Sequence, residues 1–472
     1  LVSDSTYDVR IWSIRTYNGR NGTTYTVRWA VGGRAWPVTF AGSTLAESFR
    51  SELITAARRG EAFSMSTGRP LSWEQRKSGP SWVDFAADYM DKHWKRTSAL
   101  HRRDRAKILA NATMALLTTD RNSPSEEVLR AALRNWVFNT AHRDSHRPAD
   151  IAAALDWVGD HVLPVESLED SAVIRAVLER ITSKVPSNGG GPLAPKPAVK
   201  ARRILSHVLD YAVELGHLQS NPLHGLKWRA PKTTGVIDRR SVPNPQQARA
   251  LLDEVGKLKR SGYLLRPFFA VIYLAGLRPE EAVSLRWTDI VLPEQVWDEQ
   301  HGCWVEPPDG WGEITVRQVA PDVGRRWTDT GKQRDLRQPK GRAENEDRPV
   351  PCSPKLSLIL RAHREQDRKG PDGLVFFGEH GGQLATCTYQ KAWQRARRRA
   401  FSDAQFATPL AKRIYDLRHA CVSTWLNEGI NSAQIAEWAG HSLEVLLRIY
   451  AKCLDGGEDD ARRKAEKAFD GF

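Results

Sequence analysis

The sequence predicts a multidomain α+β protein: a small N-terminal three-stranded sheet plus helix, a helical middle, and a mainly helical C-terminal part with a small β-sheet. Three observations predict it. At 472 residues the chain suits two to four domains. Its apolar residues recur at strand spacing in the first 64 residues and at helical spacing from about residue 80. Two polar stretches bearing Gly and Pro, 66–81 and 229–245, interrupt the pattern as linkers.

Residues 1–64 come first. "DVRIWSIRTY", "TTYTVRWAV" and "RAWPVTF" are short β-branched and aromatic runs, parted by the turn signals "NGRNG" and "GG". "STLAESFRSELITAARRG" follows as a helix, with Ser43 or Thr44 as N-cap and Gly60 beyond its end. Arg10, Arg15, Arg28 and Arg34 fall on exposed strand faces. They suit a solvated sheet, or a sheet laid on DNA.

Residues 80–228 read as a helical domain. "WVDFAADYMDKHW", "HRRDRAKILANATMALL", "SEEVLRAALRNWVF" and "PADIAAALDWVGDHV" carry apolar residues at i, i+3, i+4. "SKVPSNGGGPLAPKP" is a loop, and "VKARRILSHVLDYAVELGHL" is a further helix. The basic cluster Arg102, Arg103, Arg105 and Lys107, and the pair Arg202 and Arg203, are either solvated helix faces or phosphate contacts. Residues 240–472 mix helices with the strand-like "GWGEITVRQV" and "DRPVPCSP".

Composition narrows the partners. Lys and Arg number 70 against 56 Asp and Glu, a net charge of +14. That balance favours a polyanion, nucleic acid before membrane. No apolar run is long enough to span a bilayer and no signal-peptide pattern opens the sequence. The five cysteines, Cys303, Cys352, Cys387, Cys421 and Cys453, are scattered without a CxxC pair. They argue for a reducing cytosol and against a disulfide or zinc framework.

Three stretches carry chemistry. In "YLAGLRPEEAVSLRWTDI" a helix ends near Gly276, Pro279 suits the first position of the next, and Arg278 sits between them. A guanidinium so held can clamp a phosphate, with Glu281 orienting it, or simply pair with that acid. In "IYDLRHACVSTWLNEG", Asp416 suits an N-cap and Gly429 a stop, which puts Arg418 in a first turn where anions are favoured. A structural ion pair explains it as well. In "GHSLEVLLRIYAKC", His441 lies in a turn and Tyr450 shares a face with Leu446 and Ile449. Singly, they read as a capping histidine and a core tyrosine.

Together, "GLRPEEAVSLRW", "YDLRHACVSTWL" and "WAGHSLEVLLRIYAKC" resemble, in order and in phrasing, the boxes of the tyrosine recombinase (phage integrase) family, nearest to integrases of actinobacterial phages and integrative elements. The resemblance is strongest over the last ~235 residues. It extends to a core-binding domain through "LDYAVELGHLQSNPLHGLKW", and the N-terminal sheet resembles an arm-binding domain.

The resemblance implies an arm-type DNA-binding domain at 1–64, a helical core-binding domain at 80–228, and a catalytic domain at 240–472 ending in a docking tail. It implies Tyr450 as nucleophile on a DNA phosphate, and Arg278 and Arg418 as clamps on the non-bridging oxygens. His441 would be a further donor to that phosphate. Lys340 in "LRQPKGRAENEDRPVP" matches the family's general acid, with Lys332 as a substitute. Glu281, Tyr415 and His419 would support the site. The partners implied are double-stranded DNA attachment sites, a homotetramer on DNA, a host DNA-bending protein and an excision factor. No cofactor is implied, and neither a Walker loop nor metal-ligand spacing occurs in the sequence. The expected setting is the bacterial cytoplasm, on the nucleoid, with no membrane.

One position departs from the family. Its second box is often His-x-x-Arg, and the histidine slot here is Tyr415. A phenol, with an ordinary pKa of ~10, is a poor proton acceptor near neutral pH. The Tyr450 proton then falls to His441, to water or to the phosphate. A catalytically impaired DNA-binding regulator and a type IB topoisomerase-like activity are the competing readings.

Overall fold

The computed structural model describes residues 5–450 apart from 20–21, 41, 72, 74–78, 186–188, 232–236, 306, 308–309, 340–345 and 367–369, and beyond 450 only residues 462, 463 and 466. The chain forms two compact units, 1–231 and 232–472. The boundary falls inside the second predicted linker.

In the first unit the sheet is organised by one long strand. In chain order the strands are β1 (Val9–Ile11), β2 (Arg15–Gly19), β3 (Gly22–Val31) and β4 (Arg34–Phe40). β3 pairs with β4 along one edge and with β2 and then β1 along the other, all antiparallel. The sheet therefore has four strands rather than the three expected, because "DVRIWSIRTY" breaks at Trp12–Ile14 into two. Alternation along β3 sets the faces. Val27, Trp29 and Val31 are buried with Leu53 and Ala56 of α1 (Ser43–Arg58). The N-cap of α1 is Gly42, with no side-chain cap, so neither Ser43 nor Thr44 serves that role.

Among the described residues six α-helices follow in that unit: α2 (Trp82–Trp94), α3 (Ala99–Ala115), α4 (Glu126–Ala132), α5 (Ala149–His161), α6 (Ser171–Thr182) and α7 (Pro195–Glu214). The sequence reading did not name α6. Its signals are ordinary ones: the Asp170 carboxylate accepts from Ala172 N, and Ile174, Val177, Leu178 and Ile181 form a buried stripe.

The second unit opens with α8 (Pro245–Gly256), started by a capping box between Asn244 and Gln247. α9 (Gly262–Leu274) is apolar almost all round and runs through the core, where Phe268, Phe269 and Ile272 are fully buried. It ends at Ala275, and Gly276 takes the left-handed φ of +62° that turns the chain into α10 (Pro279–Ala282). Next come β5 (Ile290–Val291), a separate hairpin of β6 (Val296–Asp298) and β7 (Cys303–Val305), and β8 (Gly312–Val316). β9 (Arg348–Cys352) completes a three-stranded antiparallel sheet with β8 in the middle. After it come α11 (Pro354–Arg364), α12 (Thr386–Ala400), α13 (Asp403–Ala407), α14 (Tyr415–Asn427), α15 (Ser432–Ala439) and α16 (Leu443–Tyr450). Phe268, Phe269, Val350, Phe376, Trp393 and Leu417 bind helices and sheet into one core. Among the described residues no helix is long and apolar enough to cross a membrane.

Candidate active site

The site grows from one buried carboxylate. Arg278 is the N-cap of α10, and Glu281 lies three residues on. Glu281 turns back, so that Oε2 accepts from Arg278 N at 2.8 Å and Oε1 from Arg278 Nη1 at 2.6 Å. A second guanidinium, from Arg348 on β9, forks onto both oxygens at 3.0 and 2.6 Å. Arg418 Nη1 stands 3.9 Å from Oε2. Burial by itself would raise the Glu281 carboxyl. Arg348, Arg278 and Arg418 outweigh it and hold the group at about 2. Arg348 is only 1% exposed, and nothing in the sequence reading singled it out. The available signal was strand alternation: Arg348, Val350 and Cys352 all point inward from β9.

Arg418, in the first turn of α14, is completely buried. Its Nη1 donates to the carbonyl of Gly276, and its Nη2 to the carbonyl of Ala439. Arg278 Nη2 donates to the carbonyl of Gly440 at 2.8 Å. Two arginines thus grip the turn that carries His441. Gly440 sits there at φ +60°, and a Cβ would overlap the Arg348 guanidinium. Arg418 Nη2 also lies 3.0 Å from His441 Nε2. A guanidinium only donates, so Nε2 is the acceptor and the His441 proton resides on Nδ1. That buried Nδ1–H has no partner among the described residues. Burial, with Arg418, Arg278 and Arg348 adding to it, keeps the ring neutral, its pKa lowered to about 3.

The helix start differs in detail from expectation. α14 begins at Tyr415 after Ile414, and Asp416 is not its N-cap. The Asp416 carboxylate instead accepts from Arg413 N at 2.9 Å and pairs with the Arg413 guanidinium.

Tyr450 closes α16 and is fully buried, packed with Val422, Ile435, Ala439 and Leu446. It is a core tyrosine in its ring and a site residue at its hydroxyl. The hydroxyl lies 2.8 Å from His419 Nδ1. The His419 imidazole is buried beside Arg413 and Arg418, in that order of effect, and its pKa is lowered to about 3. Tyr415 faces elsewhere: its hydroxyl is hydrogen-bonded to Arg278. Burial would lower the Arg278 guanidinium, but Glu281 and Tyr415 hold it above its ordinary value.

Arg278, Glu281, Tyr415, Arg418, His419, His441 and Tyr450 are therefore brought together, with Arg348 added. The charges are lopsided. Three guanidiniums meet one carboxylate and two neutral imidazoles, a surplus of two positive charges. Such a cluster suits a tetrahedral oxyanion. Lys340 lies outside the described residues, as does most of the predicted docking tail. Lys332 is exposed in the long connection between β8 and β9.

The other arginines differ in exposure and in their contacts. Arg10, Arg15 and Arg28 are exposed. They stand on the sheet face opposite Val27 and Trp29, Arg10 level with Ala30 and Arg15 with Thr26. Arg203 is exposed and Arg103 half-buried. Arg105 donates to Thr97 Oγ1, and Arg202 donates to the carbonyl of Leu223 and stacks on Trp228. Arg102 corrects the sequence reading: it is 3% exposed, donates to the carbonyl of Trp94 and stacks on that ring, so it holds the helix pair rather than facing phosphate.

An arginine pair, a neutral histidine and a buried tyrosine, set in a helical unit with a small antiparallel sheet, form an arrangement whose chemistry suits a phosphate with a hydroxyl beside it. No family model matches the chain. A curated protein described as tyrosine recombinase XerC-like, from Caldanaerobacter subterraneus subsp. tengcongensis, is 22% identical over 342 residues, 68% of this chain and 78% of its own. Over that span the chain is similar to a tyrosine recombinase. Solved structures similar to it include the Tn1549 transposon integrase in complex with a circular intermediate DNA (15% identity, 69% of this chain and 96% of that one, TM-score 0.46). Others are XerH bound to difH substrate (13%, 78% and 94%, 0.41) and a lambda integrase dimer bound to a COC′ core site (14%, 90% and 91%, 0.44).

Proposed function

We propose that this chain is a site-specific integrase, which cuts and rejoins DNA through a 3′-phosphotyrosyl intermediate to integrate or excise a mobile element or prophage. The observation that carries this is the surplus of two positive charges beside Tyr450. A phosphodiester brings one negative charge, and its five-coordinate transition state brings a second. A site with that surplus favours the transition state over the ground state. In this reading Arg278 and Arg418 hold the non-bridging oxygens and the His441 Nδ1–H donates to the same phosphate. Lys340 protonates the 5′-oxygen. The ester conserves the energy of the broken bond, so a 5′-hydroxyl from a partner strand reverses the step on a new strand.

The reading assigns residues 1–64 to arm-type sites, 80–228 to the core site and 240–472 to catalysis. Arg10, Arg15 and Arg28 on one exposed sheet face support the first assignment. It makes the working form a homotetramer on DNA attachment sites, with a host DNA-bending protein and an excision factor as further partners, on the bacterial nucleoid.

The test is a nicked duplex carrying the element's own junction sequence, incubated without metal with wild type and with Tyr450→Phe. The expected outcome is an SDS-resistant protein–DNA adduct with wild type alone. A bound duplex that yields no adduct would favour the DNA-binding regulator. An adduct that relaxes supercoils without exchanging partners would favour the topoisomerase.

A further inference from the structure

We propose that His419, rather than Tyr415 or His441, takes the phenolic proton of Tyr450 as the nucleophile attacks, an inference that rests on the strand cleavage proposed above. Three features of the geometry point to it. His419 Nδ1 lies 2.8 Å from the Tyr450 hydroxyl. Tyr415, in the slot where the family often has histidine, directs its hydroxyl to Arg278. His441 has its acceptor nitrogen engaged by Arg418 and carries its proton on the other, so it is a donor in this site.

The step balances. As the bond from Tyr450 Oη to phosphorus forms and the bond to the 5′-oxygen breaks, the phenolic proton moves to His419 Nδ1. The 5′-oxygen takes its own proton from the general acid, Lys340 in the proposed reading. In the return reaction the His419 imidazolium gives its proton back to the phenolate, and the 5′-hydroxyl returns one to the acid. The groups acting on His419 are Arg413, Arg418 and Tyr415 from its own segment, and Tyr450 and His441 from the elements packed against it. Without DNA, burial first and then Arg413 and Arg418 disfavour a cation on this ring. An incoming phosphate offsets the part of that penalty that Arg418 imposes, because its negative charge lies beside that guanidinium. The base is thus kept neutral, ready to accept, until substrate arrives.

Two measurements test this. The first uses the DNA-free full chain with 15N-labelled histidine. The expected tautomer of His419 has its proton on Nε2 and Nδ1 accepting. A proton on Nδ1 would overturn the proposal, since that nitrogen would then donate to Tyr450.

The second measures single-turnover cleavage of the nicked junction duplex bearing a 5′-bridging phosphorothiolate, whose thiolate leaves without a proton. It isolates the nucleophile's proton. His419→Gln should lower the rate about 10²–10³-fold at pH 7, the usual scale of general-base catalysis. Its rate should then climb roughly tenfold per pH unit, because hydroxide must do the work, while wild type stays flat from pH 6 to 8. Tyr415→Phe should keep the flat profile whatever its rate. Added imidazole should restore part of the His419→Ala rate, which a merely structural loss would not allow.

A wild-type rate and profile in His419→Gln, or a slope transferred to Tyr415→Phe, would overturn His419's role while the recombinase stands. Silence from wild type on a duplex it binds would overturn the recombinase reading and this role with it.

Discussion

Replacing Glu281 with glutamine keeps the shape of the site's anchor and removes its charge. Glu281 is 1% exposed and holds Arg348, itself 1% exposed, through two hydrogen bonds. Its carboxyl is depressed from 4.5 to about 2. At 1.36 kcal/mol per pKa unit, that is about 3 kcal/mol of folding stability. Removing one partner of a buried ion pair costs about 3–5 kcal/mol, which agrees. The sign follows from the direction of the shift. A depressed carboxylate contributes fully above its unfolded value and loses that contribution as pH falls through its folded value. The window is therefore pH 4.5 down to about 2. Scanning calorimetry of the full chain is the assay, read on the transition of the second unit. Glu281→Gln should lower that transition by roughly 6–12 °C at pH 7. The gap to wild type should close between pH 4.5 and 2. A loss under about 1 kcal/mol at pH 7, or a gap that ignores pH across that window, would refute the reasoning that one carboxylate organises three arginines.

Other outcomes follow from the same contacts. Gly440→Ala places a Cβ at φ +60° against the Arg348 guanidinium, so it should cost about 2 kcal/mol or more in melting and abolish adduct formation. Tyr450→Phe should form no adduct, and should destabilise the second unit by about 1–2 kcal/mol because His419 Nδ1 loses its partner. His419 and His441 have folded values lowered to about 3 against 6.5 unfolded, so the stability they give is complete above pH 6.5 and declines towards pH 3. Wild type should thus lose stability on acidification from pH 6.5, before the carboxylates titrate, and His419→Gln should flatten that slope in urea titrations. Arg10, Arg15 and Arg28 share one exposed face, so their triple replacement by alanine should reduce the log–log salt slope of duplex binding by roughly 3, measured by fluorescence anisotropy. An unchanged slope would take that sheet off DNA.

The local order of the site was present in the sequence. Arg278 beside Pro279, Gly276 and Gly440 at turns, and Ser442 before α16 are consequences of short-range chemistry. Pro suits the first position of a helix, and glycine alone adopts a positive φ cheaply. The structure has Ser442 Oγ accepting from Val445 N at 3.3 Å and both glycines in the left-handed region. The four principal residues could be named because each lies in a recognisable phrase. The α6 helix is equally legible, from the Asp170 cap and the stripe of Ile174, Val177, Leu178 and Ile181.

Tertiary structure decided what the phrases do to one another. Nothing near Arg348 in the chain marks it as the partner of a carboxylate 67 residues earlier. That pairing needs β9 beside β8 and α10 beneath them. Arg102 looked like part of a basic face, but the Trp94 ring and carbonyl claim it. His419 and Tyr450 lie 31 positions apart, and only the packing of α16 on α14 brings a neutral imidazole to the phenol. The physical reason is range. Caps, turns and periodicity are settled within about one helical turn. The ionisation and hydrogen-bond partners of a buried group depend on whichever distant segments surround it.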